Sequence, residues 1–187
     1  GPLTNIAMAM IREPEIIPRI QEIVFMGGSA INPGNTTPAA EFNIYVDPHA
    51  AHVVLSSGVK LVMMGLDVTH QVQVTPSRLQ IIKTLGRRVS ETVADLITFY
   101  GSFDLEQWGM EGAALHDPCV IAYLLDKDIF TLKHVNVEVV TNDGLALGET
   151  VADWKFVTDR PLNCHVAYQA DADRFFELLN DRLLNLP

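Results

Sequence analysis

Ile23-Val24-Phe25-Met26-Gly27-Gly28 sets a run of apolar side chains against a pair of glycines. A run this short and this apolar predicts a buried strand that stops where the glycines begin. Leu61-Val62-Met63-Met64-Gly65 repeats the signature. Between the two, Asp47 and Pro48 open a helix: the carboxylate can cap the first amides, and proline suits the first helical position. That helix runs to Leu55, and Gly58 stops it. Strand, helix, strand in this order is the pattern of a largely parallel α/β sheet.

Upstream, Thr4 to Ile11 predicts a helix that begins just after Pro2 and ends before Pro14. Downstream, Leu79, Ile82 and Leu85 share one helical face, and Val89, Val93, Leu96, Ile97 and Tyr100 share another. Residues 101–115 predict a glycine-punctuated loop carrying Trp108, and Asp117 to Leu125 a further helix. Val135 to Val140 and Cys164 to Tyr168 read as strands around a loop-rich middle. Asp171 then caps a last helix whose Phe176, Leu179 and Leu183 face inward. No repeat, linker or low-complexity tract divides residues 1–187, so one domain, or one piece of one, is expected.

At 187 residues with 48% hydrophobic side chains, the chain can bury a sizeable core. No apolar run approaches the roughly 20 residues that span a bilayer, and the start lacks the basic leader of a signal peptide. The net charge of -10 repels nucleic-acid backbones and anionic membranes, so neither is an expected partner. A neutral small molecule meets no such penalty. Cys119 and Cys164 have no CxxC or zinc spacing, and free thiols are the expected state, as in a reducing cytoplasm.

The segment Thr37-Pro38-Ala39-Ala40-Glu41-Phe42-Asn43-Ile44-Tyr45-Val46-Asp47-Pro48 carries the chemistry. In extended backbone Glu41 and Asn43 project to one face and Phe42 to the other. A carboxylate acceptor beside an amide that both donates and accepts can grip a vicinal diol such as that of a sugar. Asn35, in Gly34-Asn35, reads as an ordinary turn residue or as part of that grip, and Met26, at the end of a buried strand, as core. Phe42 and Trp108 offer faces for a flat heterocycle, although Trp108 could equally plug its loop against the core. In Leu115-His116-Asp117-Pro118-Cys119, the imidazole can protonate a leaving heterocycle and the aspartate can ligate a hard cation. Taken alone, such a pair is more often structural. Thr4 and Asn5 both suit a helix N-cap.

Together with Gly1-Pro2-Leu3-Thr4-Asn5-Ile6-Ala7, these motifs resemble, in order, those of the inosine–uridine-preferring nucleoside hydrolases, and the resemblance covers essentially the whole chain. It implies an α/β, nucleoside-hydrolase-like open, mostly parallel sheet flanked by helices, here lacking its N-terminal strands. It also implies calcium-dependent hydrolysis of the N-glycosidic bond of purine or pyrimidine ribonucleosides. By the resemblance, the Thr4 carbonyl and the Asp117 carboxylate are calcium ligands, and Asp117 also touches the ribose hydroxyls. Asn35 and Glu41 take the 5′-hydroxyl, Asn43 the 3′-hydroxyl, Met26 lies against the ribose, and His116 sits over the departing base. Relatives assemble as dimers or tetramers, which makes a homo-oligomer the expected state.

The family opens with an aspartate cluster of the form D-x-D-x-x-x-D-D, and none of these 187 residues supplies one. The expectation is therefore a C-terminal part of a single nucleoside hydrolase domain, poorly active without the missing segment. A catalytically inactive nucleoside-binding or assembly fragment is the alternative. A generic sugar-binding α/β domain would explain the acidic grip but not His116-Asp117.

Overall fold

The computed structural model describes residues 1–186, and the side chains of residues 102–108 lie outside that description. In chain order the elements are α1 (Thr4–Arg12), β1 (Ile23–Met26), α2 (Phe42–Val46), α3 (Pro48–Leu55), β2 (Leu61–Met64), α4 (Leu66–Thr69), β3 (Gln73–Val74) and α5 (Pro76–Thr84). There follow α6 (Arg88–Trp108), β4 (Ala113–Ala114), α7 (Pro118–Leu125), β5 (Phe130–Val135), β6 (Val137–Val139), β7 (Thr150–Ala152), β8 (Cys164–Ala170) and α8 (Ala172–Leu184). They form two compact units, Gly1–Val68 with Thr131–Gln169, and Thr69–Phe130 with Ala170–Pro187. Among the described residues no helix is long and apolar enough to cross a membrane.

The first unit is built on a four-stranded sheet ordered β1-β2-β8-β5. β1 runs parallel to β2, from Ile23 opposite Leu61 to Met26 opposite Met64, and β2 runs parallel to β8, with Leu61 opposite Cys164. Every side chain of Leu61-Val62-Met63-Met64 is fully buried, as an interior strand covered on both faces requires. Each such side chain stabilises the fold by about 1.5–3 kcal/mol. α1 and α3 supply Ala7, Met10, Ala51 and Val54 to this core. α3 begins as the sequence predicts: the Asp47 carboxylate accepts from the Ala50 amide and Pro48 holds the first position. The tail differs from its reading as one strand. The chain leaves the main sheet after Val135, and Val137–Val139 pairs antiparallel with β7 in a separate ribbon.

In the second unit α5 and α6 pack against the short antiparallel pair β3–β4, in which Val74 faces Ala113, and α8 packs against α6. The predicted loop 101–115 is not a loop throughout. α6 continues through Gly101 to Trp108 and ends at Gly109, whose left-handed backbone (φ 62°) closes it. Gly101 stands inside the helix because β4 passes close by: a Cβ there would come within 2.9 Å of the Ala113 Cβ. The α6 face is less buried than its period predicts, with Leu96 63% and Tyr100 51% exposed. α8 is capped by Asp171, whose carboxylate accepts from the Arg174 amide, and it buries Phe175 and Phe176.

Candidate functional site

In the first unit, five of the predicted residues are joined by hydrogen bonds at the end of β1. Glu41 is buried, 2% exposed, and precedes α2 as its N-cap. Its Oε1 accepts from the Asn43 amide (2.9 Å), and its Oε2 accepts from the amides of Gly28 (2.9 Å) and Ile44 (3.2 Å). Burial pushes the Glu41 carboxyl above its usual range, and the amide bonds partly oppose that rise. Asn43 donates its Nδ2 to the Met26 carbonyl (3.2 Å) and to the Met26 Sδ (3.3 Å). Asn35 accepts the Phe42 amide on its Oδ1 at 2.9 Å. Phe42 itself is 53% exposed.

This arrangement corrects the extended reading of residues 41–43. Only Glu41 is extended (φ -81°, ψ 146°), and Phe42 already begins a helix. Glu41 and Asn43 are brought to one cluster by the cap, not by strand alternation. Asn35 belongs to a turn, as its Gly-Asn context suggests, but a specialised one: its own amide and that of Thr36 both donate to the Ala40 carbonyl. A Cβ on Gly34 would collide with the Ala40 amide and the Thr37 carbonyl, so only glycine fits there.

The loop after β1 is pinned by a residue to which sequence reasoning gave no role. Asp67, buried in α4, accepts from the amides of Ala30 (2.7 Å), Ile31 (3.0 Å) and Asn32 (2.7 Å). Thr150 in β7 adds a second anchor, its hydroxyl accepting from the Ser29 amide (2.9 Å) and donating to the Ser29 carbonyl (2.8 Å). The one available signal for Asp67 is an acidic residue two positions after the strand-ending Gly65. Its partners lie 35 to 37 residues away, outside any local pattern.

Thr4 is not an N-cap. Leu3 holds that position without a side-chain bond, and the Thr4 hydroxyl donates to Asp47 Oδ2 at 2.6 Å. This bond is the leading cause of a lowered Asp47 carboxyl pKa. As a helical residue Thr4 directs its carbonyl along the helix, where one lone pair still remains for another donor or a cation.

In the second unit, His116 and Asp117 stand at the entry to α7. Asp117 is the N-cap residue, makes no side-chain cap bond and is exposed. The half-buried His116 has its Nδ1 2.8 Å from the hydroxyl of Thr69, and its ring meets that of His70 edge-on at 5.6 Å. A hollow of about 270 Å³ adjoins the pair, walled by Leu96, Ile97 and Tyr100 of α6. Cys119, just beyond, is a buried free thiol pushed up to about 12 by burial first and by the Asp117 charge second. The Trp108 side chain lies outside the described residues.

Calcium takes roughly 6–8 oxygen ligands. Among the described residues no group of three or more His, Cys, Asp or Glu side chains could hold a metal ion. One carboxylate and one backbone carbonyl, the two ligands expected from the sequence, would supply only part of such a shell.

Comparison with known proteins agrees with these motifs. The profile of the inosine-uridine preferring nucleoside hydrolases matches residues 1–177. The chain belongs to this family. It is 44% identical over 186 residues to the pyrimidine-specific ribonucleoside hydrolase RihA of Photobacterium profundum, covering 99% of this chain and 60% of that protein. Among solved structures, the plant nucleoside hydrolase PpNRh1 superposes with a TM-score of 0.91 at 30% identity, covering 100% of this chain and 60% of the other. The purine-preferring ribonucleoside hydrolase of Gardnerella vaginalis gives 0.87 at 33% identity, covering 99% and 58%. The nucleoside hydrolase fold expected from the sequence is thus shown, and the chain spans about 60% of the length of these relatives.

Proposed function

We propose that this chain handles the sugar and the departing base in hydrolysis of the N-glycosidic bond of ribonucleosides, yielding ribose and free base. The observation that carries this reading is the hydrogen-bonded cluster of Met26, Asn35, Glu41, Phe42 and Asn43 at the end of β1, in a chain of this family. Such bonds break through a transition state with oxocarbenium character, so the protein must hold the sugar, direct a water and ease the base away.

Each residue keeps a group for that task. Asn43 spends its Nδ2 on Met26 and retains its carbonyl oxygen for the 3′-hydroxyl. Asn35 spends its Oδ1 and retains its amide nitrogen for the 5′-hydroxyl. Glu41 gives three backbone amides their acceptor, out of about four lone-pair positions on a carboxylate. One position is left for the 5′-hydroxyl. Met26 lies against the ribose, the exposed Phe42 offers the base a stacking face, and His116 offers it a proton-bearing nitrogen; Trp108, whose side chain lies outside the described residues, is the second stacking candidate.

Asp117 and the Thr4 carbonyl would contribute oxygens to calcium. The other ligands and the water-activating carboxylate belong to the D-x-D-x-x-x-D-D cluster, which these 187 residues do not contain. Full activity therefore requires a segment that carries it. A cytoplasmic homo-oligomer, dimer or tetramer, goes with the same reading.

The test is release of uracil from uridine and hypoxanthine from inosine, with and without calcium. It is run on the 187-residue chain and on a protein that joins it to a cluster-bearing segment of a relative. Negligible release by the first and calcium-dependent release by the second is the expected result. Release by the 187-residue chain alone would overturn the requirement for the cluster, and none by the joined protein would overturn the hydrolase reading. The missing ligand set favours a second reading, a nucleoside-binding or assembly module without catalysis. Binding of nucleoside by a joined protein that still releases no base would select it.

A further inference from the structure

Thr69 is 0% exposed at the end of α4, and its hydroxyl lies 2.8 Å from the Nδ1 of a histidine 47 residues further on. We propose that Thr69 is a positioning residue that fixes which nitrogen of His116 carries the proton, an inference resting on the reading of His116 as the group that serves the base.

The argument turns on where one proton can go. Among the described residues, His116 Nδ1 is the partner of the Thr69 hydroxyl. Were that oxygen to accept from an Nδ1–H, its own proton would be buried without an acceptor, the costlier of the two arrangements. The hydroxyl therefore donates. Nδ1 is then the unprotonated nitrogen of the neutral ring, and Nε2 bears the hydrogen. Two further contacts hold this orientation: the edge-on ring of His70 at 5.6 Å, and the Leu115 amide donating to the Val72 carbonyl at 3.0 Å, which anchors the segment just before His116. The outcome is a hydrogen on Nε2, the tautomer in which that nitrogen is the donor and an acceptor atom of a purine or pyrimidine ring is its matching partner. Alanine or valine at position 69 would keep the fold's volume or shape in part but lose that bias.

Nitrogen-15 spectroscopy of the imidazoles reads the tautomer directly, on the 187-residue chain and without substrate. The His116 signals are assigned by their disappearance in His116→Asn. At alkaline pH the wild type should show a pyridine-like Nδ1 and a pyrrole-like Nε2, with the Nε2–H form favoured about tenfold or more. Thr69→Val should collapse that preference toward a mixture, and Thr69→Ser should restore it. An Nδ1–H form in the wild type, or an unchanged pattern in a folded Thr69→Val chain, would overturn the proposal. Should Thr69→Val fail to fold, the wild-type and Thr69→Ser tautomers still decide it. The spectrum does not depend on turnover. A fixed Nε2–H form combined with full activity of a His116→Asn joined protein would sink the functional reading and leave this one standing.

Discussion

Replacing Glu41 by alanine removes the acceptor of three amides at once, those of Gly28, Asn43 and Ile44. Loss of the cap on α2 costs about 0.5–2 kcal/mol, and leaving the buried Gly28 amide without a partner costs about 1–3 kcal/mol. Relief from burying a carboxylate offsets part of this, so a net destabilisation of about 2–4 kcal/mol is expected. Urea unfolding of the 187-residue chain measures it, and faster hydrogen exchange at the Gly28 amide locates it. The pH dependence gives a second signature. Burial is the largest influence on this carboxyl and raises it above its ordinary 4.5. A raised group contributes stability that is fully present below its unfolded value and is lost as pH rises through its folded value. The stability of the wild type relative to Glu41→Gln should accordingly fall as pH climbs from below 4.5 to above the raised value. An alanine variant within about 1 kcal/mol of the wild type, or a pH difference of opposite sign, would refute this account of the cluster.

Asp67→Ala should free the amides of Ala30, Ile31 and Asn32, speeding their hydrogen exchange, and should destabilise the chain by about 2–4 kcal/mol; unchanged exchange would show that Asp67 does not pin the loop. Gly34→Ala forces a methyl group into the Ala40 and Thr37 backbone, so its thermal midpoint should drop well below the wild type's, whereas Gly58→Ala, with open space around it but a left-handed φ of 77°, should cost less. Cys119 and Cys164, both buried with thiols pushed up to about 12, should resist a disulfide reagent at roughly pH 8 until the chain unfolds. Rapid labelling of the native chain would contradict that burial.

What could be read from the sequence was what local chemistry decides. Ile23–Met26 and Leu61–Met64 announce themselves because short apolar runs bounded by glycine have few other uses, and Asp47-Pro48 and Asp171 are caps whose partners lie within a few residues. The remaining features depend on distant partners. Glu41 is an uncommon N-cap type, and an alternating Glu-Phe-Asn suggests a strand until Gly28 is seen donating to its carboxylate. Gly101 looks like a breaker because nothing in its neighbourhood reveals the close approach of Ala113. The Asp67 latch and the Thr69–His116 pair join residues 35 to 47 positions apart, beyond any periodicity.

Titration of the nitrogen-15-labelled chain with uridine, inosine and ribose tests the sugar-holding cluster most directly. Saturable shifts centred on the amides of Asn35, Phe42 and Asn43 are predicted, with loss of the response in Asn43→Ala. Shifts scattered elsewhere, or none at saturating ligand in a folded chain, would contradict the claim that the end of β1 grips a ribose.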